Sequence, residues 1–320
     1  MKEANINTPL VSVCIPMYNV EEYIEETLQK MLQQTYENIE VIIVDDYSTD
    51  NSYALAQKFV SDKIKLFENE KKGGNAARNF AFKKSSGDYI KFMDSDDYCS
   101  DNMIEEQMKR ILKDGTDETL IHSPLKLLEP DGRIWSFPRN IEKDYVPGIE
   151  LLVDIWRQEA VNVPHCHLMH RNLVIKSGGW DETILKHQDA EFFARVAALA
   201  DKALSVNEVY VFWRQTKEGV SMQNSVKAHS SVLDTFEIIT NLLISYKDNE
   251  EIRLICSKYI GSYVYINYPV IDPLMPKINN LLKKNNLKLI LPRRKIFDFL
   301  RVIFGWKISI RIIRKLNLEK

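Results

Sequence analysis

Four apolar runs, spaced so that a helical stretch fits between each pair, constrain this chain more than any other feature. "LVSVCIPMYN" (10–19), "IEVIIVDD" (39–46), "KIKLFEN" (63–69) and "DYIKFMD" (88–94) suit strands of a buried sheet. Between them "EEYIEETLQKMLQQ", "SYALAQKFVS" and "NAARNFAFKKS" carry apolar residues at helical spacing. Strands that alternate with helices make a βαβ series, so the expected class is α/β, a Rossmann-like, mostly parallel sheet flanked by helices. At 320 residues and 45% hydrophobic content the chain can bury a large core, as one large domain with an appendage or as two. No internal repeat or low-complexity segment interrupts the series.

Ligands of such sheets bind outside the carboxyl ends of the strands. Past the first strand stand Pro16, Met17, Tyr18 and Asn19, past the second Asp45 to Asp50, and past the fourth Asp94, Asp96 and Asp97. This set suits a nucleotide. Tyr18 can stack on a base, Asp46 can accept from a ring N–H or a ribose hydroxyl, and the carboxylates of "DSDD" can hold an ion that bridges two phosphates. Simpler roles compete for some of these residues. Asp50 and Ser52 can cap the helix that follows, and Asp97 or Ser100 can cap the one at "NMIEEQMKRILKD". A single cap does not call for three carboxylates, which destabilise one another unless a cation or hydrogen bonds compensate. Mg²⁺ or Mn²⁺ is the economical compensation, because it uses one or two carboxylates and completes its shell with phosphate and water.

The N-terminus has no signal-peptide core, and no run approaches the roughly 18 apolar residues of a membrane span, so a cytoplasmic protein is expected. Cys14, Cys99, Cys166 and Cys256 lie far apart, which fits reduced, buried thiols. The net charge of −2 hides an asymmetry. From Lys283 to Lys320 twelve Lys/Arg face only Asp298 and Glu319, a net of +10, which leaves −12 for residues 1–282. An acidic body argues against nucleic acid as a partner. Read as one helix, "RRKIFDFLRVIFGWKISIRIIRK" sets Phe297, Leu300, Phe304 and Ile308 on one side and Lys307, Arg311, Arg314 and Lys315 on another. Binding to an anionic membrane surface and packing on the protein's own acidic body both fit that pattern. "VLDTFEIITNLLISYK" and the group Tyr263, Tyr265 and Tyr268 read as helical core.

The stretch from "VSVCIPMYN" to "VIIVDDYSTDNS", followed by "GGNAARNFA" and "DYIKFMDSDD", resembles the nucleotide-sugar-binding half of the family 2 glycosyltransferases, which have the GT-A fold. The resemblance runs from about Pro9 to Ser221. It implies that Pro16, Tyr18, Asn19 and Asp46 hold the nucleobase side of the donor with Arg78 close by. It also implies that Asp94 contacts ribose and Asp96 the metal on the diphosphate. In "SGGWDETILKHQDAEFFARV", Gly178, Gly179, Trp180 and Asp181 match the acceptor-side element and Asp189 the catalytic base. Asp189 can also serve as N-cap of the helix it precedes. Gln188 stands where many relatives have an acidic residue. Arg214 and Ser221 resemble the segment that closes over the diphosphate, with Gln215 in place of the His often found there. The implied organisation is a catalytic domain over 1–221 (donor half about 9–110, acceptor half about 111–221), a helical extension over 222–282 and a basic tail over 283–320.

Other classes fit less well. A dinucleotide-binding oxidoreductase needs a GxGxxG turn after the first strand, where this chain has "IPMYN". A sugar nucleotidyltransferase wants a glycine-rich basic loop at the same place, and a non-catalytic nucleotide-sugar-binding protein leaves Asp189 unexplained. His165, His167, His170 and Cys166 in "PHCHLMHR" lack a second ligand pair at zinc spacing, and lining the acceptor pocket or packing beneath it suits them better. The expectation is therefore a metal-dependent, inverting transferase. It moves a sugar from a UDP-sugar to a hydroxyl of a glycan or lipid-linked acceptor, in cell-surface polysaccharide synthesis.

Overall fold

A computed structural model describes residues 8–136, 141–161, 163–216 and 224–318. The chain divides into two compact units: Met1–Ile155, Ala160–Thr183 and Gln188–Lys217 in the first, and Trp156–Glu159, Ile184–His187 and Glu218–Lys320 in the second.

The first hundred residues fold in the expected alternation. They form β1 (Val11–Met17), α1 (Ile24–Leu32), β2 (Ile39–Asp45), α2 (Ser52–Gln57), β3 (Ile64–Glu68), α3 (Gly74–Lys84) and β4 (Tyr89–Phe92). The chain continues through β5 (Tyr98–Cys99), α4 (Met103–Asp114), β6 (Thr119–His122), β7 (Leu125–Leu128), β8 (Ile134–Ser136) and α5 (Ile149–Gln158). It then forms β9 (His167–His170), α6 (Arg171–Ser177), α7 (Gln188–Leu199), β10 (Lys202–Ser205) and β11 (Val211–Arg214). The main sheet has the order β10-β6-β9-β4-β1-β2-β3, and β4, β1, β2 and β3 run parallel. β9 enters antiparallel between β4 and β6. A smaller sheet, β5-β11-β7-β8, brings β11 beside β5, immediately after the "DSDD" turn.

β1 and β2 are apolar on both faces because helices cover both sides of a parallel sheet. α1 turns Ile24, Thr27, Leu28 and Met31 to the core, with Glu25 and Glu26 in its first turn and Lys30 in its last, the distribution its dipole favours. One cation lies inside the sheet. Lys91 of β4 is fully buried, and its Nζ donates to Gln107 Oε1 (3.0 Å) and to the carbonyls of His165 (2.7 Å) and His167 (3.3 Å). Burial lowers its pKa to about 8.

The second unit is helical, with α8 (Val226–Tyr246), α9 (Glu250–Asn267), α10 (Met275–Lys284) and α11 (Lys295–Leu316). Trp156 stacks on Tyr259 with centroids 4.4 Å apart, and Phe236 meets Tyr259 and Tyr263 edge-on. Gly261 of α9 is needed for a close approach, since a Cβ there would stand 1.8 Å from the carbonyl oxygen of Ile290. Tyr265, Tyr268, Phe297, Ile310 and Ile313 form a core that ties α11 to α9.

α11 is not the continuous amphipathic helix its sequence suggests. Gly305 breaks it at φ 71°, ψ 162°, so side chains on either side of the break lose their common phase. Phe297 goes into the core, whereas Phe304 and Ile308 remain exposed. Lys307 and Arg311 bind Asp272 at 2.8 and 2.9 Å, and Arg314 donates to the carbonyls of Tyr265 and Ile266. Three of the four cations expected to form an outward face are thus used within the unit itself. Among the described residues no helix is long and apolar enough to cross a membrane.

Candidate active site

The loops after β1 and β2 hold each other. The backbone N–H of Asn19 donates to Ser48 Oγ (3.1 Å), and Asn19 Oδ1 accepts from the N–H of Thr49 (2.8 Å). Asn19 adopts φ 49°, the left-handed region that Asn tolerates well. Pro16 stands opposite Val44 in the parallel register, and Tyr18, just past the strand, is 47% exposed with Lys72 Nζ 5.5 Å from its ring centroid. Asp46 is buried. Its carboxylate accepts from Asn69 Nδ2 (2.7 Å) and from the backbone N–H of Gly73 (2.8 and 3.0 Å), which fixes it at the mouth of α3. Neither Asp50 nor Ser52 is the N-cap of α2, which is Asn51: Asp50 Oδ1 accepts from the N–H of Ser52 (3.0 Å) and Oδ2 from the N–H of Glu21 (3.0 Å), and Ser52 Oγ accepts from the N–H of Val20 (2.7 Å), so both tie the two loops together.

The "DSDD" turn is pinned from α1, where Thr27 Oγ1 donates to the carbonyls of Ser95 (3.1 Å) and Asp97 (2.9 Å). Its carboxylates separate by depth: Asp97 is fully buried, whereas Asp94 and Asp96 are half-buried. Asp97 is not a helix cap. Its Oδ1 accepts from the backbone N–H of Arg214 at 2.6 Å and so fastens β11 to the turn. Arg214 Nη2 reaches Glu26 Oε2 at 2.8 Å, and its guanidinium lies 4.8 Å from the ring centre of Tyr23. Burial and the neighbouring Asp94 push Asp96 up to about 6, and burial with both other carboxylates holds Asp97 well above the usual carboxylate range. Beneath them lies His165, fully buried and with neither ring nitrogen hydrogen-bonded. Its Nε2 stands 3.2 Å from Asp97 Oδ2 and its Nδ1 3.9 Å from Asp94 Oδ2. Ligand-type atoms of Asp94, Asp97 and His165 all fall within 4.8 Å of one another.

Arg78 is the hub that links the two halves of the site. Nη2 donates to Asp94 Oδ1 (2.7 Å), Nη1 donates to Gln188 Oε1 (2.8 Å), and the guanidinium lies 4.6 Å from the ring centre of Trp180. Gln188 thus takes the place of an acidic residue while still accepting from Arg78, and adds no further negative charge. Asp189 is the second residue of α7 rather than its N-cap. Burial raises its pKa to about 7, with Arg78 opposing the rise and Asp94 adding to it.

Trp180 is only 3% exposed, stacked on Phe192 at 4.3 Å. Its ring therefore forms the floor under Arg78 and offers no face to an acceptor. Asn79 holds that floor by accepting from the N–H of Trp180 and donating to its carbonyl, both at 2.9 Å. Gly179 is required beside it, because at φ 74° a Cβ would come within 2.9 Å of Asn79 Oδ1. Asp181 Oδ1 caps its own turn through Thr183, and its carbonyl accepts from Asn75.

Within the first unit the structure gathers Arg78, Asp94, Trp180, Gln188 and Asp189 around one guanidinium, and Asp96, Asp97, His165 and Arg214 around the adjoining turn. Ser221 lies outside the described residues. The sequence reading set His165 aside as a zinc ligand and missed Glu26 as the partner of Arg214, and Asn79. Asn79 was available in "AARN".

A carboxylate-rich turn at the carboxyl end of a mostly parallel sheet flanked by helices defines an α/β protein with its site at the strand edge. Residues 12–178 match the family model described as glycosyl transferase family 2, and the chain belongs to that family. It is 37% identical over 131 residues to glycosyltransferase GlyG of Streptococcus pneumoniae, covering 40% of this chain and 43% of that protein. It is 43% identical over 105 residues to the UDP-Glc:alpha-D-GlcNAc-diphosphoundecaprenol beta-1,3-glucosyltransferase WfgD of Escherichia coli, covering 32% and 42%. The matched stretches span less than half the length of these relatives. The fold matches that of S. aureus TarS 1–349 in complex with UDP, with a TM-score of 0.67, 17% identity and coverage of 96% and 91%. Against the same protein in complex with UDP-GlcNAc the TM-score is 0.60 at 20% identity, with coverage of 96% and 92%. The fold is therefore GT-A.

Proposed function

We propose that the chain is a metal-dependent, inverting glycosyltransferase that moves a sugar from a UDP-sugar to a hydroxyl of a glycan or lipid-linked acceptor in cell-surface polysaccharide synthesis. The observation that carries this reading is the bridge through Arg78. A carboxyl group with a pKa near neutrality, Asp189, lies one residue from Gln188, and Arg78 ties Gln188 to Asp94 on the donor side. The relatives support the donor class, since TarS is described with UDP and UDP-GlcNAc and WfgD is named for UDP-Glc and a diphosphoundecaprenol acceptor.

In this reading Pro16, Tyr18, Asn19 and Asp46 receive the base, Asp94 the ribose, and Arg214 the diphosphate side. The donor set fits a divalent cation. Burial and the neighbouring Asp94 hold Asp96 above its ordinary range, a cost that a bound cation would relieve. Asp96 is the residue that would hold Mn²⁺ or Mg²⁺, since Asp97 and His165 are fully buried. When bound, the cation offsets the charge that collects on the departing diphosphate.

The remaining steps belong to the chain's own residues. Asp189 accepts the proton of the acceptor hydroxyl as that oxygen forms a bond to the anomeric carbon and the bond to the diphosphate breaks. Arg78 keeps Asp94 and Gln188 in register across the reaction. Gly179, Trp180 and Asp181 set the acceptor side by fixing the turn and the floor that carry Arg78. A single displacement from the face opposite the leaving group inverts the anomeric centre. Asp189→Asn keeps the shape and loses the base, so transfer should fall by about 10²-fold or more while UDP affinity stays close to normal. Wild-type transfer in that variant, or a product whose NMR coupling constants show retained configuration, overturns the mechanism.

A further inference from the structure

The first half of α11 carries an apolar face that nothing in the second unit covers. Ile296, Phe299 and Ile303 follow helical spacing and Val302 widens the stripe. Val302 is 84% exposed and Phe299 67%. Large apolar side chains exposed in one contiguous stripe usually mark an interaction surface. The stripe is not a frayed end. Phe297, on the opposite side of the same turns, is fully buried against Tyr265 with centroids 4.9 Å apart, and beyond Gly305 the chain is held by Asp272. The break at Gly305 is what permits both, because it lets Lys307 and Arg311 reach Asp272 while residues 295–304 keep their apolar face outward.

Charge identifies the occupant. Arg293, Arg294 and Lys295 stand exposed at the head of the stripe, and among the described residues Arg293 and Lys295 have no ion-pair partner. A second copy of the chain seated on this face would bring together two segments of net charge +10, which repel. An anionic lipid surface attracts the same cations and accepts the apolar face at its headgroup boundary.

We propose that residues 293–304 rest in the headgroup layer of an anionic membrane, with Ile296, Phe299, Val302 and Ile303 toward the acyl chains and Arg293 and Lys295 on lipid phosphates. The contact surface is narrower than the whole basic tail, because Lys307 and Arg311 are already committed to Asp272. The proposal stands apart from the transferase reading, though a lipid-linked acceptor would lie close to hand for a protein so placed.

The test uses the full chain and co-sedimentation with vesicles of phosphatidylcholine, alone or with phosphatidylglycerol. Strong binding is expected only where phosphatidylglycerol is present, weakening as salt rises. F299D/V302D and R293E/K295E should each lower partitioning by about tenfold or more. Both pairs alter exposed side chains, so circular dichroism and thermal midpoint should match wild type. Equal partitioning of wild type and both variants, or binding indifferent to lipid charge, overturns the proposal. So does a concentration-dependent dimer in sedimentation velocity that F299D/V302D abolishes, which would assign the face to a second copy. Vesicle binding needs neither donor nor acceptor, so its failure leaves the catalytic reading untouched.

Discussion

At the sheet edge of the first unit, carboxylates, an imidazole and a guanidinium are drawn inward; along the first half of α11, isoleucine, phenylalanine and valine are turned outward. Each arrangement is unfavourable in water for the chain alone, the first through charge repulsion and desolvation and the second through exposed apolar area. The difference lies in what relieves the cost. Inward charge calls for a small, charged ligand with defined geometry, whereas an outward apolar stripe calls for an extended, deformable surface. Local departures from the usual inside-outside rule therefore point both to where something binds and to its physical character.

The sharpest way to break this comparison is to separate Asp96 from the converging trio of Asp94, Asp97 and His165. Asp96→Ala should remove the Mn²⁺-dependent part of UDP binding, read by titration calorimetry, by at least the roughly 10–100-fold that loss of even an outer-shell partner costs a metal site. His165→Asn should leave more of it in place. The reverse ranking would move the ion onto Asp94, Asp97 and His165, the three whose ligand atoms already converge.

Acidity sharpens it next. With Asp189 raised to about 7, kcat/KM should climb about tenfold per pH unit up to neutrality and then level off. Gln188→Glu should shift that rise to higher pH, because a new carboxylate beside the base disfavours its ionised form. A profile flat from pH 5 to 8 would show that Asp189 does not limit the reaction.

The smallest effect concerns stability. Because the folded-state pKa of Asp189 lies above its ordinary 3.8, the folded chain holds a proton between about 4 and 7 that the unfolded chain has lost, so stability falls as pH rises through that window. Asp189→Asn removes this loss. Its thermal midpoint should exceed wild type at pH 8 by about 1.5 °C for each kcal/mol recovered in a chain of this size, and match it near pH 4. Equal midpoints at both values would show that the environment does not strain the carboxylate.

Much of the first unit could be read from local pattern. The β-branched runs that become β1 to β4, and the helices between them, announce themselves through side-chain period, and the turn after β4 through its three carboxylates. What could not be read depends on distant partners. β9 enters antiparallel between β4 and β6 because of neighbours far along the chain, and "HLMH" has no alternation of its own. Lys91 occupies a core position only because Gln107 and two carbonyls more than seventy residues away receive its protons. The motif that holds Trp180 pointed to the acceptor side, but packing against Phe92, Phe192 and Arg78 makes its ring a buried floor. The break in α11 was signalled by Gly305, yet a glycine inside an amphipathic pattern does not say which half will turn.

Arg78 has a consequence for how the sequence can drift. One side chain serves Asp94, Gln188 and the face of Trp180 at once, so a change at position 78 disturbs three neighbours together, and no single compensating substitution restores them. Lysine keeps the charge but lacks the planar fork that reaches two acceptors while lying on a ring. The stripe on α11 is held to a looser rule, since any residue of similar greasiness serves at 299 or 302. Random mutagenesis under selection for transfer should thus return position 78 almost invariant and the stripe as a mixture of apolar residues.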